Sequence, residues 1–374
     1  MSDSHGFQRV IFHVDMDSFY ASCELTRRPE LKAGPFVVGA DPQEGKGRGV
    51  VLACNYAAKK LGLRSGMPIS RAWELCPQAT YVYPDFSLYG DISSKVMNLL
   101  RTFADRTEQV SIDEAYLEVS NRILGKETKS EQDAAIQELA NSIKKAISEN
   151  IGITCSIGVA PSKIIAKIAT DMQKPDGLTI VHPDEILEFL SPLPVAKIPG
   201  VGKVTQKILL EKFKVDKISD LRKVPPDELR DSFGRSSLWL SNVANGIDES
   251  EVIESWDPVS ISSETTFGED EGDYAKVQDI MNEVAKDVHN RVKSDGYLFR
   301  NIGIKIRFTG FETHTRSKSL TAYSDSLEAL VRECDKLLSE FNDSEKKVRL
   351  IGVRVSSLKK IEESQKTLFD WNAN

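Results

Sequence analysis

Two adjacent acidic residues, Asp113 and Glu114, lie in the middle of the apolar segment VSIDEAYLEV, which spans residues 110–119. The apolar residues on both sides, among them Val110, predict a largely buried strand or the corner of one. Burial removes hydration from ionised carboxylates and neighbouring ones repel each other, so an unpartnered pair would be very costly there. Two interpretations follow: a turn between two short strands with the acids in water, or a bound cation.

A second pair of acidic residues, Asp15 and Asp17, follows the strand-like segment VIFHV at residues 10–14. The spacing of apolar residues becomes helical after Asp17, so both acids are predicted at a strand-to-helix junction. Adjacent strand ends can bring carboxylates from distant segments together. Three clustered carboxylates suit Mg²⁺, and two such ions about 3.5–4 Å apart can stabilise the attacking and leaving oxygens of an in-line displacement. The residues alone leave metal-assisted phosphoryl chemistry and a structural role open.

Strand and helix patterns alternate up to residue 181, which predicts an α/β or α+β layered domain. An amphipathic helix is predicted for residues 131–149 and buried strands for PFVVGA and ITCSIGVA. Short helices with many prolines follow from residue 182, and then a polar, linker-like stretch at 245–258. Residues 259–360 show strands around two helical segments, which indicates a second module of βαβ type.

Composition limits the classes of protein that remain. The 374 residues are enough for about two to four domains. A net charge of −7 counts mildly against a nucleic-acid partner, although local patches rather than net charge determine phosphate binding. Five scattered cysteines without a CxxC pair predict reduced thiols in a cytoplasmic protein. No apolar run reaches the roughly 18 residues that span a bilayer, and the first residues lack a secretion signal, so we expect no membrane association.

Five motifs occur in a characteristic order: VDMDSFYASCE, ACNYAAKKLGLRSGMP, SIDEAYLEV, CSIGVAPSKIIAKIATDMQKPDGL and IPGVGKVT. From about residue 8 to residue 360 the chain resembles the Y-family translesion DNA polymerases, in particular the archaeal type of the DinB (polymerase IV/kappa-like) branch. The resemblance implies template-directed addition of deoxynucleotides to a primer 3′ end by two-metal-ion phosphoryl transfer. Low fidelity and the lack of proofreading are implied as well.

The resemblance also implies an α+β multidomain fold with the form of a right hand. The implied domains are a palm (1–18 and 86–181), fingers (19–85), a helical thumb with a helix-hairpin-helix (182–248), a linker (249–258), a little finger (259–360) and a clamp-binding tail (361–374). The family pattern makes Asp15, Asp113 and Glu114 catalytic and lets them bind two Mg²⁺ ions per active site, together with the carbonyl of Met16. Asp17 lies outside that metal set and is expected to cap the following helix.

The nucleotide-binding residues implied by the resemblance are Phe19, Tyr20, Tyr56, Lys59 and Lys174. Tyr20 corresponds to the steric gate, whose ring blocks a ribose 2′-hydroxyl. The chain departs from the family pattern at two positions. Lys59 stands where the family usually has Arg and lacks the bidentate fork of a guanidinium, and Ala53 stands where a Thr is common. Both departures concern the details of triphosphate contact.

Three partners are implied: primer–template DNA, a dNTP and a sliding clamp, all bound by a monomer. The implied DNA-binding residues are Gly200, Gly202, Lys203, Arg349 and Arg354. A GVG turn exposes backbone N–H groups that bind phosphate without reading sequence. Basic residues on the last strands, including Arg316, indicate either a groove-facing sheet or the ordinary alternation of a solvated one. The tail resembles the clamp-binding box of archaeal replication proteins at Gln365, Leu368, Phe369 and Trp371, and docking onto the protein's own surface is the alternative.

Two other classes of function are weighed against a polymerase. A two-metal nuclease with a helix-hairpin-helix would have no use for the steric-gate aromatic residue or the triphosphate lysines. A catalytically inactive DNA-binding scaffold on the clamp would not need all three metal carboxylates. The residue pattern therefore favours a polymerase.

Overall fold

The computed structural model describes residues 6–123, 125–126, 128–341 and 344–361. The chain divides into two compact units, Met1–Ser255 and Trp256–Asn374. In the first unit the strands are β1 Ile11–Met16, β2 Phe36–Gly39, β3 Val51–Cys54, β4 Thr80–Val82, β5 Arg106–Gln109, β6 Glu114–Glu118, β7 Cys155–Ala160 and β8 Leu178–Ile180.

Twelve helices accompany these strands within the described part of the first unit. They are α1 Phe19–Arg27, α2 Tyr56–Lys60, α3 Ile69–Leu75, α4 Phe86–Arg101, α5 Ser120–Ile123, α6 Lys129–Ile151, α7 Lys163–Thr170, α8 Ile186–Leu190, α9 Lys203–Phe213, α10 Ile218–Leu221, α11 Pro226–Phe233 and α12 Ser236–Ala244. The strands and helices predicted from apolar spacing are confirmed, including the long amphipathic helix, which is α6. The predicted short proline-punctuated helices correspond to α8 to α12.

The central sheet of the first unit has the strand order β5-β6-β1-β7-β8, with β1 antiparallel to both of its neighbours. Alternate residues of β1 face opposite sides of the sheet. Phe12, Val14 and Met16 join the core formed with α4 and α6. Ile11 joins the core formed with α7, which packs directly on β7, since a Cβ at Gly158 would come within 2.0 Å of the Ala166 carbonyl oxygen. The strand-to-helix junction after β1 therefore lies between two helical layers.

A smaller sheet with the order β3-β2-β4 forms a separate core with α2 and α3. Helices α8 to α12 share the core of α7. The segment after α12, predicted as part of a polar linker, is bound to the rest of the first unit as far as Ile253. The carboxylate of Asp248 accepts from the Ile164 backbone N–H at 2.9 Å, and the Ile253 N–H donates to Glu108 at 2.9 Å.

The second unit contains strands β9 Ser260–Glu271, β10 Tyr297–Phe308, β11 Thr313–Ser324, β12 Val348–Ser356 and β13 Lys359–Lys360, with helices α13 Tyr274–Ser294 and α14 Leu327–Ser339. Its main sheet has the order β11-β10-β12-β9. Apolar residues of β10 and β12 pack with both helices on one face. The two predicted helical segments, 275–293 and 325–341, are confirmed. No helix in the described ranges is long and apolar enough to cross a membrane.

The basic residues of this sheet are divided between its two faces. Arg354 pairs with Gly303 and is exposed on the face opposite the helices, where Lys305 also lies. Arg316 pairs with the buried Ile304, and its Nε donates to Glu340 beyond α14 at 2.7 Å. Of the two alternatives for these basic residues, a sheet whose basic side chains all face one groove does not hold for Arg316, because the two-residue alternation of the strand directs its side chain to the helical side.

Candidate active site

The acidic pair that interrupts the apolar segment lies where a tight hairpin enters its second strand. Residues 110–113 form the turn between β5 and β6, and Glu114 is the first residue of β6. Val110 is 47% exposed, so the prediction that it is buried was wrong. The Ser111 hydroxyl donates to Asp113 at 2.5 Å and accepts from the backbone N–H groups of Asp113 and Glu114 at 3.2 Å each. The segment is a turn, but its acids are only partly exposed.

Strand pairing brings the distant carboxylates together. Asp15 lies directly opposite Glu114 in the β1–β6 register. The backbone N–H of Met16 donates to the Asp113 carbonyl at 2.9 Å, which ties the end of β1 to the hairpin turn. The side chain of Met16 is buried in the core, so only its backbone faces this junction. Asp15, Met16, Asp113 and Glu114 thus meet at one end of the central sheet, as the strand-end argument predicts.

Two of the three carboxylates are held by lysines from α7 and the loop after it. Lys174 Nζ lies 2.9 Å from Asp15, and Lys167 Nζ lies 2.5 Å from Glu114. Glu114 also lies 3.4 Å from His13 Nε2. As they stand, no three side chains of metal-binding type converge on one point within the described ranges. The oxygen donors themselves are of the kind that Mg²⁺ prefers, and the lysines supply the positive charge that they require.

The surroundings of Asp15 and Glu114 shift the pKa values of their carboxyl groups in opposite directions. Burial raises the pKa of the Asp15 carboxyl to about 6, against the lowering effect of Lys174. The hydrogen bond from His13 and the contact with Lys167 lower the pKa of Glu114 to about 2, although burial alone would raise it. Burial lowers the pKa of His13. Glu114 is therefore ionised at neutral pH, and the charge of Asp15 depends on a nearby cation.

The prediction that Asp17 caps the following helix was wrong. Ser18 occupies the N-cap position of α1, without a side-chain cap hydrogen bond. The Asp17 side chain is buried, with 2% of the residue exposed, and accepts hydrogen bonds from three groups. These donors are the hydroxyls of Thr154 and Ser156, each at 2.8 Å, and the Asp176 backbone N–H at 2.9 Å. Asp17 therefore attaches β7 and the loop after α7 to the end of β1.

That loop carries Lys174 to Asp15. Lys144 of α6 holds the loop from the other side, through the backbone carbonyls of Asp176 and Gly177 and through the Asp176 carboxylate at 3.0 Å. Burial lowers the pKa of Lys174, but its ion pairs with Asp15 and Asp171 outweigh burial and raise it above its ordinary value. Lys174 is therefore a permanently charged group at the edge of the carboxylate cluster, carried on an anchored loop.

The predicted triphosphate residues of α2 reach the same junction. Asn55 caps α2 by accepting from the Ala58 backbone N–H at 2.9 Å. Lys59 Nζ donates to the Ser18 hydroxyl at 2.6 Å and lies 4.3 Å from the centre of the Tyr56 ring. Burial lowers the pKa of Lys59. Tyr56 and Lys59 thus approach the carboxylates through Ser18.

The two aromatic residues at the start of α1 differ in environment. Phe19 is 3% exposed and belongs to the main core. Tyr20 is only partly buried, and its ring lies 4.8 Å from the Tyr89 ring and 6.2 Å from the Phe86 ring. Of the two rings, Tyr20 is therefore the one available to a ligand beside the carboxylates.

The predicted hairpin begins beside α7. Gly200 has a φ of +89°, and α9 starts at Lys203 after Gly202, with no side-chain cap. A cavity of about 600 Å³ lies between this turn and α7, lined by Pro199–Gly202, Lys197, Lys167 and Asp171 among others. Lys167, which lines this cavity, also contacts Glu114, so this side chain lies between the hairpin turn and the carboxylates.

In the second unit, Arg354 lines a hollow of about 410 Å³ on the open face of the sheet, where Gly303 and Gly352 leave space. Arg349 lies elsewhere, with its guanidinium 4.5 Å from the Phe311 ring centre and 3.9 Å from Asp270. The predicted tail residues Gln365, Leu368, Phe369 and Trp371 lie outside the described residues.

Several residues that contact the site were not predicted from the sequence. His13 and Lys167 contact Glu114, and Thr154 and Ser156 bind Asp17. His13 could have been found because it lies two residues before Asp15, which is the spacing of one strand face. The contacts of Lys167, Thr154 and Ser156 depend on packing between distant segments and leave no local signal.

Known protein families and relatives match this chain over most of its length. Three family models match: "impB/mucB/samB family" at residues 14–171, "IMS family HHH motif" at 183–215 and "impB/mucB/samB family C-terminal domain" at 258–368. DNA polymerase IV 2 of Methanosarcina mazei is 41% identical over 97% of this chain and 96% of its own length.

Two solved structures share the fold. The Y-family DNA polymerase chimera Dbh-Dpo4(243-245)-Dbh has a TM-score of 0.84 and 30% identity, over 94% of this chain and 100% of the chimera. The insertion ternary complex of Dbh DNA polymerase has a TM-score of 0.63 and 31% identity, over 93% of this chain and 98% of that one. The expected α+β fold with a separate C-terminal domain is confirmed by this likeness.

Replacing Asp17 tests its role in fixing the loop that carries Lys174. Asp17→Asn leaves too few acceptor positions for three donors, so we expect a loss of about 1–3 kcal/mol in the free energy of unfolding. The backbone amides of Lys174, Asp176 and Gly177 should also exchange hydrogen faster. Urea unfolding and hydrogen-exchange mass spectrometry measure the two effects.

Asp171→Asn is the matched control for Asp17→Asn. Asp171 also contacts Lys174, at 3.0 Å, but its side chain is 51% exposed. Its replacement should change the free energy of unfolding by less than about 0.5 kcal/mol. Equal effects of the two substitutions would contradict the anchoring role of Asp17.

Proposed function

Because the chain belongs to the impB/mucB/samB family of Y-family DNA polymerases, and is a DNA-directed DNA polymerase of the polymerase IV (DinB) type, we propose that Asp15, Asp113 and Glu114 are its catalytic carboxylates. The observation that carries this assignment is the β1–β6 register, which sets Asp15 opposite Glu114. The proposed reaction joins a dNTP to a primer 3′-hydroxyl and releases pyrophosphate. Low fidelity and the absence of proofreading belong to this proposal, and misincorporation kinetics would test them.

The family depends on divalent metal ions, and we propose two Mg²⁺ ions bound by Asp15, Asp113, Glu114 and the Met16 carbonyl. When bound, such ions stabilise the attacking and leaving oxygens of a phosphoryl transfer. The fit is supported by the partly buried carboxylates, whose charge is now balanced by Lys174 and Lys167 instead. Ionised Glu114 provides a negatively charged ligand at neutral pH, since its pKa is lowered to about 2.

The proposed triphosphate site consists of Tyr56, Lys59 and Lys174. Lys174 is held at the edge of the carboxylate cluster by Asp15 and the Asp17-anchored loop, where it can pair with an incoming phosphate. Lys59 provides a point charge without the planar fork of an Arg. It is oriented instead by the Ser18 hydroxyl at 2.6 Å.

The proposed sugar-binding residues are Phe19 and Tyr20. Tyr20 serves as the steric gate, since its partly exposed ring lies on the helix that starts beside the carboxylates. The Phe19 side chain is buried in the core, so Phe19 would contact the nucleotide through its backbone.

We assign the palm to residues 1–18 and 86–181, the fingers to 19–85, the thumb to 182–248, the linker to 249–258 and the little finger to 259–360. In the thumb, the N–H groups around Gly200, Gly202 and Lys203 would bind the primer backbone without sequence preference. In the little finger, Arg349 and Arg354 would bind further phosphates. The polymerase is proposed to act as a monomer.

Loss of one catalytic carboxylate should abolish synthesis without loss of DNA binding. Asp113→Ala removes a proposed metal ligand whose carboxylate accepts a hydrogen bond from the Ser111 hydroxyl. We expect extension to fall at least about a hundredfold, as loss of metal-assisted charge stabilisation predicts. Primer extension with Mg²⁺ and dNTPs, beside a DNA-binding titration, measures both properties.

Glu118→Gln is the control, because Glu118 lies at the other end of β6 and pairs with Arg9 at 3.5 Å. It should leave extension unchanged. Near-normal extension by Asp113→Ala would show that the metal assignment is wrong. Degradation of the primer by the unmodified enzyme, without extension, would favour a nuclease.

The open face of the little-finger sheet should bind phosphates through charge alone. Arg354→Ala should weaken primer–template binding and reduce the magnitude of the salt slope by about one unit, if Arg354 contacts one phosphate. Arg316→Ala is the matched control, since Arg316 lies on the helical face and is paired with Glu340. Titrations from low to high salt in which both variants keep the original slope would remove Arg354 from the DNA interface.

The tail is proposed to bind a ring-shaped sliding clamp. Gln365, Leu368, Phe369 and Trp371 form the proposed box, in which three large apolar side chains fill a pocket and the glutamine hydrogen-bonds beside it. Deletion of 365–374 should leave single-nucleotide insertion unchanged but remove stimulation by the clamp. Full stimulation of the shortened enzyme, in the same assay with and without clamp, would refute the box.

A further inference from the structure

The proposed gate residue, Tyr20, packs against a second helix that has no assigned part in the reaction. Tyr20 and Glu24 lie four residues apart on α1 and so share one face of that helix. Phe86 and Tyr89 lie three residues apart on α4 and face them. The Tyr20 and Tyr89 rings are 4.8 Å apart with an interplanar angle of 37°. Tyr89 therefore forms one wall of the space in which the gate ring can move.

The Tyr89 ring is fixed in turn by a buried carboxylate. Tyr89 and Glu24 are both 0% exposed. The Tyr89 hydroxyl donates to Glu24 Oε1 at 2.6 Å, and Arg28 Nε lies 3.8 Å from Glu24 Oε2. Either group would be left buried without a partner if this hydrogen bond were lost, which is costly, and hydrogen bonds are directional. The pair therefore holds the Tyr89 ring in one orientation.

A steric gate depends on such rigidity. A ring excludes a single hydroxyl group only if it cannot move away by about 1 Å, a displacement that changes rates substantially in active sites. Within the described residues the Tyr20 hydroxyl makes no hydrogen bond, so packing against neighbouring rings is what restrains the Tyr20 side chain. The restraint comes from Tyr89 and from Phe86, whose ring lies 6.2 Å away edge-on but which is 59% exposed.

We propose that Glu24 and Tyr89 are positioning residues that fix the ring of Tyr20 and thereby set the discrimination between deoxyribose and ribose. The inference rests on the proposed role of Tyr20 as the gate. Neither Glu24 nor Tyr89 touches the nucleotide; both act through the Tyr20 ring. Their effect is thus confined to the sugar and does not extend to the phosphoryl transfer.

The test is the ratio of kcat/KM for dCTP to that for rCTP opposite template dG, measured in single-nucleotide insertion. Tyr20→Ala should remove most of the discrimination. Tyr89→Phe keeps the ring but removes the hydroxyl, and it should lower the ratio by about tenfold, mostly through faster rCTP insertion. In the Tyr20→Ala background, Tyr89→Phe should change nothing further, because residues that act through one group are not additive.

Two controls separate positioning from general stability. Glu24→Gln still accepts the Tyr89 hydrogen bond and should keep the ratio within about twofold. Arg27→Gln breaks the exposed α1–α4 ion pair between Arg27 and Asp85, which is 2.5 Å long, and should leave the ratio unchanged. If Tyr89→Phe does not fold, the double variant Glu24→Leu with Tyr89→Phe replaces both polar partners by apolar groups and serves in its place.

The outcomes distinguish the role of Tyr20 as the gate from the positioning role of Tyr89 and Glu24. An unchanged ratio in Tyr20→Ala would refute the gate and the inference together. Lost discrimination in Tyr20→Ala with an unchanged ratio in Tyr89→Phe would refute the inference and leave the gate standing. If Tyr89→Phe lowers dCTP and rCTP insertion equally and also lowers the Tm, the contact between Tyr89 and Glu24 serves stability alone and the inference is wrong.

Discussion

The pairing of β1 with β6 is the constraint on which the rest of the site depends. In its register Asp15 faces Glu114, and His13 faces Tyr116, with ring centroids 4.8 Å apart. Alternate residues of β1 point into the apolar core of α4 and α6. A slip of one residue would exchange the two faces and drive the carboxylate of Asp15 into that core. The apolar residues between the acids therefore determine where the acids can lie.

Helix α7 completes the arrangement because it packs on the face of the sheet that carries the acids. Lys167 lies on α7 and holds Glu114, while Lys174 follows α7 and holds Asp15. An ion pair that is partly removed from water gains little net stability, since desolvation offsets the attraction. Both lysine contacts end at flexible side-chain termini, so the proposed metal ions and triphosphate would replace them without a change in the backbone.

The sequence was sufficient for features that depend on local pattern, namely the strand ends, the long helices and the acidic pair in its turn. It was insufficient where contacts join distant segments. Asp17 was assigned to the helix that follows it, but its donors are Thr154, Ser156 and Asp176, more than 130 residues away along the chain. The face of the sheet on which Arg316 lies was left open, because the register of β11 with β10 cannot be read from either strand alone.

Burial by itself does not distinguish a catalytic acid from a structural one in this protein. Asp17 and Glu24, with 2% and 0% exposure, are more buried than the proposed catalytic set. Asp17 is engaged by fixed hydroxyl and backbone donors, and Glu24 by the buried Tyr89 hydroxyl. Rigid donors bind a carboxylate too well for a cation to displace them, so such acids hold loops and helices in place. Asp15 and Glu114 keep 18% and 16% of their side chains exposed, beside lysine ends that can move. Replaceable partners, rather than depth, are therefore what suits an acid to bind a metal ion and a substrate.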